Sequence, residues 1–177
     1  MVAPDEPAKY KTRKSWNNPS DSHSLTFSTF QRRKYLLDDQ ICGFLANRIN
    51  QAARAHNFAV LAYVFMPDHV HLLIHPINEF YDMGDILKSI KQGPSRRAKN
   101  RKLIDTELWE PGGGHDSNIV IAGYLYRQNT IDYIHDNPVR KNMVEVGSQY
   151  RWSSADWYHH EGFSDIDCRY FFLLGEE

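Results

Sequence analysis

The chain has 177 residues, a formal net charge of −1 at pH 7 and a hydrophobic fraction of 41%. This length and composition predict one folded domain with a substantial core, and they exclude a disordered chain. The near-neutral charge gives no indication of a polyanionic partner, and no apolar run approaches the roughly 20 residues that a membrane-spanning helix needs.

The termini are expected to lie outside the folded domain. Residues 1–20 are polar and basic without the apolar stretch of a signal peptide, which predicts a flexible arm. Residues 21–160 are expected to form the domain, and residues 161–177 a C-terminal tail. Cys42 and Cys168 have no metal or redox spacing, so a reducing, cytoplasmic setting is expected.

The first half of the chain predicts three strands and one helix. Residues 23–30 alternate polar and apolar side chains, which indicates a strand. Residues 35–56 carry apolar side chains at three- and four-residue spacing, which indicates an amphipathic helix. Residues 57–66 and 69–75 are apolar runs on either side of a turn, and are predicted to be two buried antiparallel strands.

The second half predicts a second helix from residue 83 that Gly93 and Pro94 interrupt or kink. A short fourth strand is predicted at residues 108–110, followed by a glycine-rich turn. A last helix is predicted over residues 117–135, and Pro138 is expected to end it. The order β-α-β-β-α-β-α predicts an α+β fold, a ferredoxin-like antiparallel sheet with helices on one face.

Two histidines stand two residues apart in the third strand. Because side chains of a strand alternate between its faces, His69 and His71 should project from the same face, with Val70 and Leu72 on the other. Two neighbouring imidazoles form half of a divalent metal site. The alternative is a strand with two solvent-facing histidines, but polar groups on a buried strand are costly unless they have partners.

The last helix carries a tyrosine and an amide one turn apart. Tyr133 and Asn137 would share a face, because positions i and i+4 of a helix are neighbours. The ordinary explanation of Tyr133 is an aromatic side chain packed in the core. The ordinary explanation of Asn137 is a residue at the end of a helix. A catalytic role requires that this face meets the histidine strand, which periodicity cannot establish.

Basic residues are concentrated in one segment. A charge run is usually a solvated helix face, but seven cations within 15 residues and no acid among them favour a phosphate-binding surface. These residues are Lys88, Lys91, Arg96, Arg97, Lys99, Arg101 and Lys102. Smaller basic groups are residues 32–34 and the pair Arg140 and Lys141.

Four motifs together resemble a known family. The sequences Met66-Pro67-Asp68-His69-Val70-His71 and Tyr133-Ile134-His135-Asp136-Asn137-Pro138-Val139-Arg140 resemble the single-tyrosine HUH transposases of the IS200-like superfamily. Trp109-Glu110-Pro111-Gly112-Gly113-Gly114 and Trp152-Ser153-Ser154-Ala155 resemble the REP-associated tyrosine transposases in particular. The likeness extends from about residue 24 to residue 158.

The resemblance implies roles for these residues. Tyr133 would be the nucleophile, and His69, His71 and Asn137 would bind Mg²⁺ or Mn²⁺. The enzyme would cut and rejoin single-stranded or hairpin DNA through a 5′-phosphotyrosine intermediate, with Arg140 and the basic segment on the DNA backbone. Exposed aromatics could stack on bases, with Tyr124, Tyr126, Trp152 and Trp157 as candidates. Both monomers and homodimers occur among such enzymes.

Three other functions remain open from the residues. A replication initiator or relaxase uses the same chemistry but usually places the tyrosine before the histidines and carries a further domain. A noncatalytic single-stranded nucleic-acid-binding module would give Tyr133 no required role. A metal hydrolase with a water nucleophile would need a carboxylate ligand, and Asp68 is expected to face away from the histidines.

Overall fold

The computed structural model of the protein describes residue 17 and residues 21–112, 115–119 and 124–169. The predicted N-terminal arm lies outside the described residues apart from Asn17, as does the end of the predicted tail. The described strands and α-helices follow in this order: β1 (Ser22–Ser28), α1 (Asp39–His56), β2 (Phe58–Met66), β3 (His69–Pro76), α2 (Met83–Asn100), β4 (His115–Ile119), α3 (Tyr124–Arg140) and α4 (Ala155–His160).

The four strands form one antiparallel sheet in the order β2-β3-β1-β4. This is the strand order of a ferredoxin-like sheet, so the predicted α+β fold is confirmed. β3 lies between β2 and β1, and its register sets Val64 and Thr26 on either side of His71. Residues of three strands therefore surround the predicted metal ligands.

The helices occupy both faces of the sheet. Helices α1 and α2 pack on the face that carries Leu72, as predicted. Helix α3 instead packs on the opposite face, where Ile131 and Ile134 contact Leu73. The expectation that all helices share one face was therefore wrong for α3. The cause is the apolar residues of β2, which continue on both sides of the strand and need a cover on each.

Strand β2 is an edge of the sheet by its position, yet all nine of its residues are buried. The C-terminal part of the chain covers this edge. Ser153 forms a bridge with Val64, and Cys168 forms one with Val60. The predicted tail therefore includes a segment that packs on the domain, at least as far as the described residues extend.

The boundaries of several predicted elements were wrong. Helix α1 begins at Asp39, not at residue 35, because the Asp38 side chain caps it by accepting from the backbone N–H groups of Gln40 and Ile41. The fourth strand is β4, whereas Trp109 forms only an isolated bridge with Thr29. The residues of β4 are mostly polar, so no apolar pattern indicated a strand there.

Two prolines lie inside helices that they were expected to end or interrupt. Helix α3 continues through Pro138 to Arg140, and α2 continues through Pro94. Pro94 has no N–H to donate to the Ile90 carbonyl group, which lies one turn before it. The carbonyl groups on either side of Ile90 accept from side chains: Arg48 donates to the Ser89 oxygen at 2.6 Å, and Trp109 donates to the Lys91 oxygen at 3.0 Å.

The core on the α1–α2 face should dominate stability. Leu72 is fully buried in it, so Leu72→Ala is expected to lower the free energy of unfolding by about 2–5 kcal/mol. Leu37 is 63% exposed, and Leu37→Ala should change the free energy of unfolding by less than about 0.5 kcal/mol. Urea unfolding of both variants measures the difference, and equal effects would contradict this assignment of the core.

Candidate active site

The two histidines of β3 face each other on the side of the sheet that α3 covers. The ring centroids of His69 and His71 are 4.9 Å apart, and the ring planes are nearly perpendicular at 86°. Each Nδ1 already has a partner: Asp68 Oδ1 lies 2.6 Å from that of His69, and Thr26 Oγ1 lies 2.9 Å from that of His71. The Nε2 atoms remain as the available ligand atoms of the pair.

Burial keeps His71 in the form that binds metals. The side chain is 8% exposed, and burial lowers its pKa to about 4, with smaller contributions from His69 and Arg32. The ring is therefore neutral at physiological pH, as an imidazole ligand must be.

Asp68 contacts His69, contrary to the expectation that it would face away from the histidines. The residue lies in the turn between β2 and β3, where the alternation of a strand does not apply. Burial would raise the pKa of this carboxyl group, but the hydrogen bond with His69 and the charges of His69 and Arg32 hold it below its usual value. Asp68, Thr26 and Arg32 are thus site residues that the sequence did not reveal.

Helix α3 brings Tyr133 to the histidines. The ring centroids of His71 and Tyr133 are 5.7 Å apart. Tyr133 is 46% exposed, and among the tyrosines whose side chains the structure describes it is the exposed one. The Arg140 guanidinium carbon lies 5.4 Å from the centre of the Tyr133 ring. The site therefore combines an accessible hydroxyl, two imidazoles and a cation.

Asn137 lies one turn after Tyr133 and is 7% exposed. Its Nδ2 donates to the Tyr133 carbonyl oxygen at 2.7 Å. This hydrogen bond requires the nitrogen of the amide on that side, so Oδ1 is the atom left to accept or to bind a cation. The atom that the resemblance assigns to the metal, Asn137 Oδ1, therefore takes no part in this hydrogen bond.

His135, between these two residues in sequence, anchors the helix instead of joining the site. Its Nε2 lies 2.8 Å from Ser154 Oγ, and Ser154 is also bonded to the backbone of Tyr63 in β2. This contact explains the Trp-Ser-Ser-Ala motif: Trp152 and Ser154 belong to the segment that covers the edge of β2. It also fixes the face that α3 turns to the sheet.

The donor set fits a divalent cation. Two imidazole nitrogens and an amide oxygen suit Mn²⁺, and the open positions that they leave suit the water and phosphate ligands of Mg²⁺. Within the described part of the chain, no three His, Cys, Asp or Glu side chains form a metal-binding group.

The predicted DNA-binding cations of α2 do not join this site. Helix α2 packs on the other face of the sheet. Lys91, Arg96 and Lys99 line a groove between α2 and Trp109, whereas Arg97 points to Phe44 of α1 at 5.9 Å. The other cations of this segment, Lys88, Arg101 and Lys102, are exposed. Of the predicted DNA contacts, the structure brings only Arg140 to Tyr133.

The candidate stacking aromatics are mostly unsuited to that role. Trp152 is buried, stacks on Phe65 and donates to Asp39 Oδ1 at 2.7 Å, so it belongs to the core. Trp157 is half-buried, with its ring against that of Tyr158. The side chains of Tyr124 and Tyr126 lie outside the described part of the structure.

Comparison with known proteins identifies the family. The family model described as "Transposase IS200 like" matches residues 22–137. This range covers most of the chain and includes every residue of the Tyr133 site except Arg140. The protein belongs to the IS200-like transposase family.

One solved structure shares the fold, and a second is similar over part of it. A REP-associated tyrosine transposase bound to a REP hairpin is 19% identical, with a TM-score of 0.71 over 88% of this chain and 89% of that one. A candidate transposase from Deinococcus radiodurans R1 is 21% identical, with a TM-score of 0.48 over 71% of this chain and 97% of that one. A comparison with curated proteins gave no match.

None of the described helices is both long enough and apolar enough to cross a lipid bilayer.

The buried His135 should make stability depend on pH. Burial, assisted by the charge of His159, lowers its pKa to about 3. The unfolded ring takes up a proton near pH 6.5 and the folded ring does not, so the stabilisation is complete above about pH 6.5 and is lost as the pH falls towards 3.

His135→Gln removes this titration and keeps a polar group beside Ser154. The stability of the wild type relative to this variant should fall by about 2 kcal/mol between pH 7 and pH 5. Urea unfolding at both pH values measures it, and a difference independent of pH would show that His135 takes up its proton as readily in the folded state as in the unfolded state. His160→Gln is the control, because His160 is exposed.

Proposed function

We propose that the protein is a metal-dependent tyrosine transposase that cuts and rejoins single-stranded or hairpin DNA through a 5′-phosphotyrosine intermediate. The observation that supports it most is the exposed Tyr133 ring lying 5.7 Å from His71, beside a pair of imidazoles with free Nε2 atoms. Membership of the IS200-like transposase family supports the same conclusion.

The covalent steps of the reaction involve the Tyr133 hydroxyl and the DNA. The Tyr133 oxygen bonds to phosphorus, the bond from phosphorus to the 3′-oxygen breaks, and the phenol loses a proton while the leaving 3′-oxygen gains one. The phosphotyrosine conserves the energy of the broken phosphodiester. A second 3′-hydroxyl can therefore displace Tyr133 and restore a DNA strand without ATP.

His69, His71 and Asn137 are the residues that would hold Mg²⁺ or Mn²⁺. A divalent cation, when bound, supplies positive charge to a non-bridging oxygen of the scissile phosphate. Asn137 also donates to the Tyr133 carbonyl group, so one side chain supports the backbone of the nucleophile and offers Oδ1 to the ion. Arg140, beside the Tyr133 ring, is suited to a neighbouring phosphate.

DNA in a single-stranded or hairpin form is the proposed substrate. A solved protein of this fold carries a REP hairpin. A tyrosine must reach the phosphate in line, which an unpaired strand permits more readily than a stacked duplex. We assign the α2 cations other than Arg97, which points to Phe44, to the backbone of the DNA outside the cleaved step, since α2 lies on the other face of the sheet from Tyr133.

The alternatives explain less of the site. A noncatalytic binding module gives no reason for an exposed tyrosine whose ring lies against His71, one of two histidines with free Nε2 atoms. An initiator or relaxase shares this chemistry, but the family membership favours transposition. Cys42 and Cys168 are free, which agrees with the proposed cytoplasmic setting. A homodimer remains a prediction.

The nucleophile is tested by Tyr133→Phe. This variant keeps the ring and loses the oxygen that bonds to phosphorus, so it should bind hairpin DNA with Mn²⁺ and give neither cleavage nor a covalent adduct. Tyr35→Phe is the control, since its hydroxyl is engaged with Thr106 at 2.8 Å. Adducts are measured by denaturing gel with labelled DNA. An adduct formed by Tyr133→Phe would point to another tyrosine, and cleavage without an adduct would indicate a water nucleophile.

The third ligand is tested by Asn137→Ala. A water molecule can replace a lost ligand but not a lost nucleophile, so Mn²⁺ affinity should fall by about 10- to 100-fold. Cleavage should return in part at high Mn²⁺ concentration. Activity that falls equally at every Mn²⁺ concentration would show that Asn137 acts only through its hydrogen bond to the Tyr133 backbone.

The DNA path is tested by salt dependence. If Arg96 in the α2 groove neutralises one phosphate, Arg96→Gln should reduce the slope of log K against log salt concentration by about 0.9. Arg97→Gln should leave the slope unchanged, because this side chain points to Phe44. Fluorescence anisotropy with hairpin DNA gives both slopes. If Arg97→Gln reduced the slope and Arg96→Gln did not, the DNA backbone would lie nearer to α1 than to the α2 groove.

A further inference from the structure

The turn between β2 and β3 holds a carboxylate against one of the two histidines. Asp68 Oδ1 lies 2.6 Å from His69 Nδ1. An ionised carboxylate can only accept, so His69 donates from Nδ1, and in the neutral ring its Nε2 carries the lone pair. The position of Asp68 therefore decides which nitrogen of His69 is available.

The backbone of this turn is fixed by the segment that follows β1. The Thr29 N–H donates to the Asp68 carbonyl oxygen at 3.0 Å. The Thr29 hydroxyl lies 3.0 Å from the same oxygen and 2.6 Å from the Arg33 carbonyl oxygen, so its one proton is shared between these two acceptors. The Leu36 N–H donates to the Pro67 carbonyl oxygen at 3.0 Å. Both residues of the turn are thus tied to residues 29–36, which is more support than a two-residue hairpin turn needs.

The same segment presents a cation to Asp68. Arg32 Nη1 lies 3.5 Å from Asp68 Oδ2, the carboxylate oxygen that does not face His69. Gln31 and Arg32 have φ angles of 52° and 54°, a left-handed conformation that is uncommon for residues other than glycine. Two such residues in succession indicate that the surrounding structure holds the turn in place.

Glu110 supports this left-handed turn. Its Oε2 accepts from the Gln31 N–H at 2.8 Å, and its own N–H donates to the Ser28 carbonyl oxygen at 3.0 Å. Glu110 belongs to the Trp-Glu-Pro-Gly motif, for which the proposed reaction gives no role. A line of contacts thus leads from this motif through Arg32 and Asp68 to His69.

We propose that Asp68, steadied by Arg32, is a positioning residue that fixes His69 in the tautomer with Nε2 free for a divalent cation. A carboxylate on the outer nitrogen of a histidine ligand orients the ring and strengthens its bond to metal. Glu110 acts one step further out, by holding the turn that carries Arg32. The role in metal binding rests on the proposed function, whereas the inferred tautomer of His69 does not depend on it.

The first test uses metal binding without DNA. Asp68→Ala should weaken Mn²⁺ binding by about 10- to 100-fold in an electron paramagnetic resonance titration. Asp68→Asn, which keeps an accepting oxygen, should recover part of this loss. Asp105→Ala is the matched control. Asp105 pairs at 3.2 Å with Arg33, the residue that follows Arg32, and contacts no histidine in the described structure.

The second test reads the tautomer directly. Long-range ¹H–¹⁵N spectra at pH 8 should show the His69 proton on Nδ1 in the wild type and in Asp105→Ala, and largely on Nε2 in Asp68→Ala. Arg32→Gln, which leaves the backbone contacts of the turn intact, should weaken Mn²⁺ binding by only about two- to fivefold, as expected for a solvent-exposed ion pair. Arg33→Gln should have no effect.

The outcomes separate this inference from the proposed function. If Asp68→Ala keeps wild-type Mn²⁺ affinity and the wild-type tautomer while His69→Ala loses Mn²⁺, the inference alone is overturned. If His69→Ala binds Mn²⁺ as the wild type does, the metal site of the proposed function is wrong and the metal part of the inference falls with it. Wild-type affinity in Arg32→Gln would overturn the role of Arg32.

Discussion

The site depends on the two-sided character of β3. Val70 and Leu72 anchor this strand in the α1–α2 core, and the same backbone turns His69 and His71 to the opposite face. Because the strand is paired on both edges, its backbone cannot turn His69 and His71 to the other face without breaking the sheet. The rest of the site consists of groups brought to this fixed pair.

Helix α3 supplies the tyrosine that lies beside the two histidines. Its position depends on contacts with the segment that covers β2. The hydrogen bond between His135 and Ser154 joins it to the segment along β2, while Ile131 and Ile134 pack on the sheet. These contacts lie on the side of the helix away from solvent, which leaves Tyr133 exposed and near His71. Stability and reactivity are thus assigned to different faces of one helix.

The sequence predicted the parts of this arrangement that depend on local periodicity. Two-residue spacing was sufficient to put His69 and His71 on one face, and the apolar runs were sufficient for β2 and β3. The polar residues of β4 carried no strand signal, and the proline at 138 gave a false helix end. The contact between Tyr133 and His71 depends on how α3 crosses the sheet, which no spacing determines. The direction of the Asp68 side chain was predicted wrongly, because side chains in a turn do not alternate between two faces as those of a strand do.

The covered edge of β2 has a consequence for how the chain can be shortened. Nine buried, mostly apolar residues in an extended strand are a template for pairing with other chains when their hydrogen-bonding edge is free. Ser153 and Cys168 occupy that edge in the folded protein. A version that ends at residue 160 would lose the cover supplied by Cys168, and we expect it to aggregate through β2 even though it keeps His69, His71 and Tyr133. The segment after the last helix thus protects the solubility of the enzyme.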